Sequence, residues 1–380
     1  MTMMKCGICQ DIVENLFTTT GKVDIQEFST DCQICCNIFK IIQEKSNIQS
    51  LLDSTDYEFF SNNTYAFSIK LPKNLINIDE SYNEIILVSI KKKIAALLQN
   101  DLLKYNKNFS IVDIESAQII LHCEFNCPDV CKFYLSRNRI FIAGRYNKYN
   151  RCISQSPWKS EKIITSIEEI LMGPVKKSFQ CQECIFSSSG REDVDVLMLG
   201  DGRPFVLEIV DAKIVQVDLV QIQKDITNDH VKVGALSFVS RQQVKELRQI
   251  ENTTKQYRIY INCFEPVANF IPLLQMGKFF IKQQTPIRVL HTRTNMVRDK
   301  FLTFLNIQHD DNIQNCIIVE LESQSGTYIK EFVHGDMLRT QPSLKSLLSV
   351  SKIDVVHLDV IKVDVEWPPV NSFKQWPLLL

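Results

Sequence analysis

Residues 187–202 hold the arrangement in this chain that is best suited to chemistry. The strand-like run 184–186 ends in a serine-rich turn, and Gly190 is followed by Arg191, Glu192 and Asp193. A turn of this kind presents a carboxylate beside a guanidinium, which suits chemistry at a phosphate-bearing sugar. The alternative is structural: Asp193 caps the turn, and Arg191 is its salt-bridge partner.

A second unusual stretch covers residues 325–336, which read Ser-Gly-Thr-Tyr-Ile-Lys-Glu-Phe-Val-His-Gly-Asp. Residues 326–330 are predicted to pass from a strand into a helix. Lys330 stands at the predicted helix start, where a surface lysine without function is the simpler reading.

Basic residues are concentrated between residues 131 and 151, a segment that has six of them and no acidic residue. Tyrosine and phenylalanine are interleaved with these cations, a composition that suits phosphate pairing and base stacking. Arg145 and Lys148 are therefore predicted to bind RNA phosphates. The alternative is a solvated loop between domains.

Four cysteines near the N-terminus form two Cys-x-x-Cys pairs, Cys6 with Cys9 and Cys32 with Cys35. In a reducing compartment, two such pairs are typical of a closed, structural zinc site with tetrahedral thiolate coordination. Chance spacing or a redox pair is the alternative. No catalytic cofactor is expected.

The composition is that of an ordinary globular protein, with 380 residues, 45% of them hydrophobic, and a net charge of −1. No apolar run is long enough to span a membrane, and no secretory signal is evident. We expect an intracellular monomer, in the nucleus, the cytoplasm or both.

The cysteine pairs and the hydrophobic pattern predict an α+β protein of three parts: a zinc-binding segment over residues 1–45, an RNA-binding module over 46–155 and a mixed antiparallel α+β domain over 156–380. In the last part, helices are predicted over residues 163–171, 240–252 and 324–339. Strands are predicted at 205–210, 257–263, 287–290, 316–321 and 354–365. Alternation places Tyr257 on one strand face with Ile259 and Ile261, so core packing competes with a site role.

The two motifs, at residues 187–202 and 325–336, together resemble the signature motifs of RNA pseudouridine synthases. The Gly-Arg-Glu-Asp-Val-Asp-Val version is similar to that of the Pus-ten family of archaeal and eukaryotic tRNA pseudouridine synthases. Further similar patches include Arg-Val-Leu-His from Arg288 and residues 143–149. The resemblance implies a zinc site and a THUMP-like module, followed by a pseudouridine synthase domain with a mixed antiparallel sheet.

The resemblance also implies roles for individual residues. Asp193 is the carboxylate that acts at C1′ of an extruded uridine, either as a nucleophile or as a base. Lys330 pairs with Asp193, and Tyr257 stacks on the target base. Arg191, Arg293 and Arg339 contact RNA.

The implied substrate is tRNA, modified in its T-arm at positions 54 and/or 55. The alternative is a non-catalytic RNA-binding protein of the same fold, such as a tRNA chaperone. Two departures from the family pattern stand out, Leu197 in place of arginine and Leu338 in place of glycine.

Overall fold

The computed structural model describes residues 9–10, 32, 35–45, 48–57, 63–72, 75, 83–105, 108–127, 130–158, 163–249, 253–267, 269–310, 313 and 315–376. The chain divides into two compact units, Met1–Arg139 with Val210–Val215, and Ile140–Ile209 with Gln216–Leu380. The division therefore falls before Ile140 instead of at residue 156. The reason is that residues 140–148 form a strand of the second unit's sheet.

The first unit packs helices against a four-stranded sheet. Its elements are α1 Ile38–Lys45, α2 Ile48–Asp53, β1 Thr64–Lys70, α3 Asn83–Tyr105, β2 Ser110–Ile111, β3 Ile119–Cys127 and β4 Val130–Arg137. The strand order is β2-β1-β3-β4, in which β1 runs parallel to both neighbours and β3 and β4 are antiparallel.

One hydrophobic core unites this first unit. Ile90, Ile94 and Leu98 recur every fourth residue of α3 and are buried, as one face of an amphipathic helix requires. Cys9, Cys32 and Cys35 belong to the same core. The described cysteines therefore pack with the module predicted over residues 46–155, and do not form a separate segment.

The second unit is built on a large sheet. Its strands are β5 Ile140–Lys148, β8 Glu183–Ser188, β9 Leu197–Val210, β10 Val231–Val233, β11 Ser237–Val239, β12 Thr254–Cys263, β13 Lys278–Gln284, β14 Val297–His309, β15 Cys316–Gln324, β16 Thr340–Gln341 and β17 Ile353–Val363. A two-stranded ribbon, β6 Ile153–Ser154 with β7 Thr165–Ser166, lies apart from them. The helices are α4 Ile167–Phe179, α5 Leu219–Ile226, α6 Arg241–Gln249, α7 Ile271–Leu274, α8 Ile329–His334 and α9 Leu344–Leu347.

Most strand pairs of the large sheet are antiparallel, as the sequence predicts, and β17 pairs with β9 in parallel. The main path runs β10-β5-β9-β17-β12-β15-β14-β13-β16. Strand β12 lies between β17 and β15, and every second residue along it is buried. Lys255 and Tyr257 therefore share the buried face of a central strand.

Three element predictions are wrong in detail. Helix α4 begins at residue 167, where Ser166 and Glu169 form a capping box, and it continues through Pro174 to Phe179. Residues 287–289 form a 3₁₀ turn after Pro286 instead of a strand. The helix predicted over 324–339 is only α8, because Gly335 ends it with a left-handed φ of 85°.

None of the helices in the described part of the chain combines the length and the apolar character that crossing a bilayer requires.

Candidate active site

The first motif forms the loop between β8 and β9. Gly190 has a φ of +83°, and a Cβ placed there would lie 2.7 Å from Lys255 Nζ and 3.1 Å from Arg203 Nη1. A side chain would therefore meet both an unfavourable backbone conformation and two buried cations. The loop needs glycine at this position.

Glu192 anchors the loop to the sheet below it. Its carboxylate accepts a hydrogen bond from Tyr146 Oη at 2.8 Å and an ion-paired bond from Arg203, whose side chain is 1% exposed. Arg203 Nη1 also donates to the carbonyl of Ser189 at 2.9 Å. Since successive side chains of an extended loop point to opposite sides, a buried Glu192 leaves Arg191 and Asp193 facing outward.

The residue pattern alone gives no role to Glu192 or Arg203. In sequence, Glu192 is one of two adjacent acids, and nothing in the residue pattern separates the buried one from the exposed one. Arg203 directly precedes the apolar run 204–207 of β9, which is the signal that could have pointed to a buried cation.

Lys148 also holds the loop, through hydrogen bonds to the loop backbone. Its Nζ donates to the carbonyls of Ile153 at 3.0 Å, Asp193 at 3.1 Å and Val194 at 2.9 Å, and the residue is 0% exposed. Burial lowers the pKa of Lys148 to about 8. The prediction that Lys148 binds an RNA phosphate is corrected here, because its ammonium is enclosed and its donors are used by the backbone.

Arg145 is corrected for the same reason. Its guanidinium donates to the carbonyls of Asp201 and Gly202, each at 2.8 Å, and to those of Val363 at 3.0 Å and Val365 at 2.7 Å. A cation that serves four carbonyls of its own chain cannot bind a phosphate without giving up those bonds. Both residues hold the sheet together around the loop.

The Asp193 carboxylate is half exposed, with 49% of its side-chain surface accessible. Its Oδ2 lies 3.6 Å from Lys330 Nζ and 3.7 Å from Arg288 Nη2. The two cations come from α8 and from the 3₁₀ turn at 287–289. The structure thus brings the two motifs together at Asp193.

Asp195 binds Lys330 more closely than Asp193 does. Lys330 Nζ donates to Asp195 Oδ1 at 2.9 Å and to Oδ2 at 2.8 Å. Burial alone would raise the pKa of Asp195, but the hydrogen bond and charge of Lys330 outweigh it and lower the pKa below its usual value. Lys330 therefore bridges two carboxylates, an arrangement that the sequence analysis did not foresee.

Helix α8 and the residue before it carry the second half of the site. The amide of Gln283 holds the backbone of Tyr328, which accepts at 3.0 Å and donates at 2.8 Å. Arg288 Nε donates to the buried carboxylate of Glu331 at 2.6 Å. This ion pair fixes the guanidinium that also approaches Asp193.

Tyr257 is nearly enclosed, with 9% of its surface exposed. Burial, partly offset by the charge of Arg203 and a hydrogen bond with Ser323, raises the pKa of Tyr257 to about 12, so its hydroxyl is neutral. In this conformation the ring belongs to the buried face of β12. Stacking of a base on Tyr257 stays a prediction.

The remaining predicted RNA contacts lie near the second motif or on the loop surface. Arg191 and Arg293 are exposed, and Arg293 donates to Tyr328 Oη at 2.8 Å. Arg339 donates to the carbonyl of Thr285 at 2.7 Å and to Asn295 Oδ1 at 2.8 Å. Leu338, beside it, is 78% exposed with a left-handed φ of 69°, a backbone that glycine adopts more readily.

Leu197 pairs in register with Asp359 of β17. Asp359 forms an ion pair with Arg151, whose Nη2 lies 2.7 Å from Asp359 Oδ1. The same guanidinium donates to the carbonyl of Asp195 at 2.7 Å. Leucine at position 197 therefore leaves no unpaired acid here.

In the first unit, the sulfurs of Cys9, Cys32 and Cys35 lie within 4.8 Å of one another, and all three residues are buried. Zinc–sulfur bonds of about 2.3 Å in a tetrahedron place sulfurs roughly 3.8 Å apart, so the three thiols fit such a site. The fourth predicted ligand, Cys6, lies outside the described residues.

Comparisons with known proteins agree with the resemblance. The family described as "Pus10, C-terminal" matches residues 141–364. The chain is 37% identical over 265 residues to the tRNA pseudouridine synthase Pus10 of Homo sapiens, a match that covers 65% of this chain and 50% of that protein. It is 30% identical over 353 residues to the protein of that name in Archaeoglobus fulgidus, covering 87% and 94% respectively.

The chain spans about half the length of its vertebrate relatives. Among solved structures, a chain of a Cbf5–Nop10–Gar1 complex matches 58% of this chain and 48% of its own length, with a TM-score of 0.31 and 12% identity. That likeness is too slight to carry an argument. The family match covers more than half of the sequence, and the archaeal relative is matched over nearly its whole length, so the chain belongs to the Pus10 family.

Proposed function

We propose that this protein isomerises uridine to pseudouridine in tRNA, in the T-arm, with Asp193 as the catalytic carboxylate. The observation that carries the proposal is the meeting of the two motifs, which places Asp193 Oδ2 3.6 Å from Lys330 Nζ. The relatives named as tRNA pseudouridine synthases supply the reaction and the class of substrate. The T-arm rests on the family resemblance alone.

The reaction breaks the C1′–N1 bond of uridine, turns the freed uracil and joins its C5 to C1′. An ionised carboxylate beside the sugar is needed, either to attack it or to remove a proton from it. Asp193 is placed for this role because its side chain is half exposed and lies within 4 Å of Lys330 and Arg288. Both routes remain open for this residue.

Asp195 has a supporting role in this proposal. A carboxylate held at hydrogen-bond distance by an ammonium loses part of its nucleophilicity to the bond. Since Asp195 takes the short hydrogen bonds of Lys330, the ammonium stays 3.6 Å from Asp193 and leaves that carboxylate without a short hydrogen bond from Lys330. In this proposal Asp195 positions Lys330, and Asp193 acts on the substrate.

The target base must leave its stack before Asp193 can reach C1′. Arg191 is exposed beside Asp193 and is suited to hold the target phosphate or fill the vacated space. Arg293 and Arg339 flank the second motif and are suited to position the RNA backbone.

Replacement of the carboxylate tests this proposal. With an unmodified tRNA transcript and mapping at single-nucleotide resolution, Asp193→Asn should lower pseudouridine formation more than about 10³-fold. It should still bind tRNA, because phosphate contacts come from other residues. The matched control, Asp195→Asn, should keep measurable turnover.

Normal turnover in folded Asp193→Asn would refute the assignment, and loss of turnover in Asp195→Asn alone would move the catalytic role to that residue. A wild-type protein that binds tRNA without modifying it would favour the non-catalytic chaperone function.

We also propose that Cys9, Cys32 and Cys35, with Cys6, bind one structural zinc ion. Four thiolates close the coordination sphere, so zinc would stabilise the first unit and take no part in the reaction. Metal analysis should give about one zinc per chain, lost in the Cys32→Ser/Cys35→Ser protein and kept in Cys152→Ser, which alters an exposed cysteine. Zinc-free folded protein would contradict this.

A further inference from the structure

A cavity of about 330 Å³ lies beside the first motif. It is bounded by Ser187–Gly190 of the β8 end and loop, by Lys255 at the start of β12, by Arg248 of α6 and by Ser325 of the second motif. Asp193, Tyr257 and Lys330 do not line it, so it is separate from the site described above. Its volume is at the lower end of the range of about 300–1,000 Å³ for ligand pockets.

Lys255 is a largely buried lysine at the wall of this cavity. It is 7% exposed and shares the buried face of β12 with Tyr257. Within the part of the chain that the structure describes, its Nζ has no hydrogen bond and no ion pair. The acid whose charge it feels, Glu192, is already bound to Arg203 and Tyr146. The side chain is largely buried and its ammonium borders the cavity, so an anion bound there would stabilise a charge that is poorly solvated.

The surroundings of Lys255 add positive charge and hydroxyl groups. Arg248 is exposed at the cavity lining, whereas the nearby Arg203 is already paired with Glu192 and does not line the cavity. Serine and threonine hydroxyls line one part of the cavity, and Val206, Val244 and Leu247 line another. None of the described lining residues is acidic. An ammonium, guanidinium groups and hydroxyls are together the donors that phosphate oxygens accept.

We propose that this cavity binds a phosphate group, with Lys255 as its central ligand and with Arg248 and Ser325 at its rim. The phosphate is either free in solution or part of the RNA backbone next to the target nucleotide. The second source rests on the proposed function, and the first does not. In either case the anion lies between the two motifs and steadies the loop at Gly190.

Unfolding in sodium phosphate tests the pocket without RNA, with sodium chloride at equal ionic strength as the reference. Phosphate at ten times its dissociation constant should raise the Tm of the wild-type protein by about 2–4 °C. Lys255→Met should lose this rise, and should be at least as stable as wild type without phosphate because an unpaired buried charge is gone. Lys352→Met, which alters an exposed lysine just before β17 and next to the far end of β12, should respond as wild type does.

Turnover of tRNA separates the two sources of phosphate. If the pocket holds an RNA phosphate, inorganic phosphate competes with tRNA, and Lys255→Met raises KM about tenfold with little change in kcat. If it holds free phosphate, the Tm effect remains without competition and KM is unchanged.

The proposal is overturned if phosphate shifts the Tm of Lys255→Met as much as that of wild type, or shifts neither. Arg248→Met, altered at the exposed rim, repeats the test should Lys255→Met fail to fold, and its phosphate response should be weakened. A wild-type protein that responds to phosphate but forms no pseudouridine would refute the proposed function and leave the pocket standing.

Discussion

Two stretches of the second unit, residues 140–151 and residues 288–298, are rich in basic residues, yet the structure uses them in opposite ways. Arg145 and Lys148, in the segment 131–151, donate to carbonyl groups of their own chain. Arg293, near the second motif, keeps its guanidinium exposed beside Tyr328. Arg145 and Lys148 therefore stabilise the fold, whereas Arg293 is accessible to a ligand.

The difference follows from the sheet. The pairing of β5 with β9 shifts register between Tyr146 and Lys148, and carbonyls at residues 201 and 202 accept from Arg145. Irregular strand pairing leaves backbone carbonyl groups without backbone N–H donors, and long cationic side chains can donate hydrogen bonds to them. The number of basic residues in a segment therefore says little about RNA contacts until the unpaired carbonyls around it are known.

The strongest test of the buried network is the removal of Glu192. Glu192→Ala should lower the free energy of unfolding by about 3–5 kcal/mol, because Arg203 is left as an uncompensated buried charge. Urea unfolding measures this, and Glu183→Ala, at an exposed acid of β8, should change stability by less than about 0.5 kcal/mol. Equal effects would mean that the loop is not anchored through Glu192.

The pH dependence of stability tests the burial of Lys148. Its pKa is about 8 in the folded protein against 10.5 when unperturbed, so between these values the unfolded chain binds more protons. Wild-type stability should therefore rise with pH from about 8 towards 10.5, by up to about 3 kcal/mol relative to Lys148→Met. Parallel curves for the two proteins would show that the Lys148 ammonium is not perturbed.

The smallest expected effects come from replacing one arginine in each region with alanine. Arg293→Ala should lower tRNA affinity and reduce the slope of its salt dependence by about one, while stability stays within about 0.5 kcal/mol. Arg145→Ala should do the reverse, losing about 1–3 kcal/mol of stability with the salt slope unchanged. Filter binding at several salt concentrations, with urea unfolding, checks both.

If the two variants behaved alike, the contrast between the two regions would fail. A flattened salt slope in Arg145→Ala would restore the RNA contact predicted for the segment 131–151.

Much of the fold was predictable because its signals are local. The helix predicted over residues 240–252 and the strand predicted over 257–263 appear as α6 and β12. The element errors arose where a single residue decided the outcome, such as the Ser166 cap and the left-handed Gly335. The family resemblance is confirmed, and the assignment of the second unit's sheet to antiparallel pairing agrees with the structure.

By itself, the sequence singled out the candidate site residues: one glycine-led turn with Asp193, and one strand-to-helix passage with Lys330. The tertiary structure decided how these groups are used. Glu192 is buried while Asp193 is exposed, and the approach of α8 to the loop after β8 gives Lys330 its short bonds to Asp195. Backbone carbonyl groups accept from Arg145 and Lys148. These outcomes depend on which donors and acceptors come together in the folded protein. The sequence around each residue does not encode its contacts with residues far along the chain.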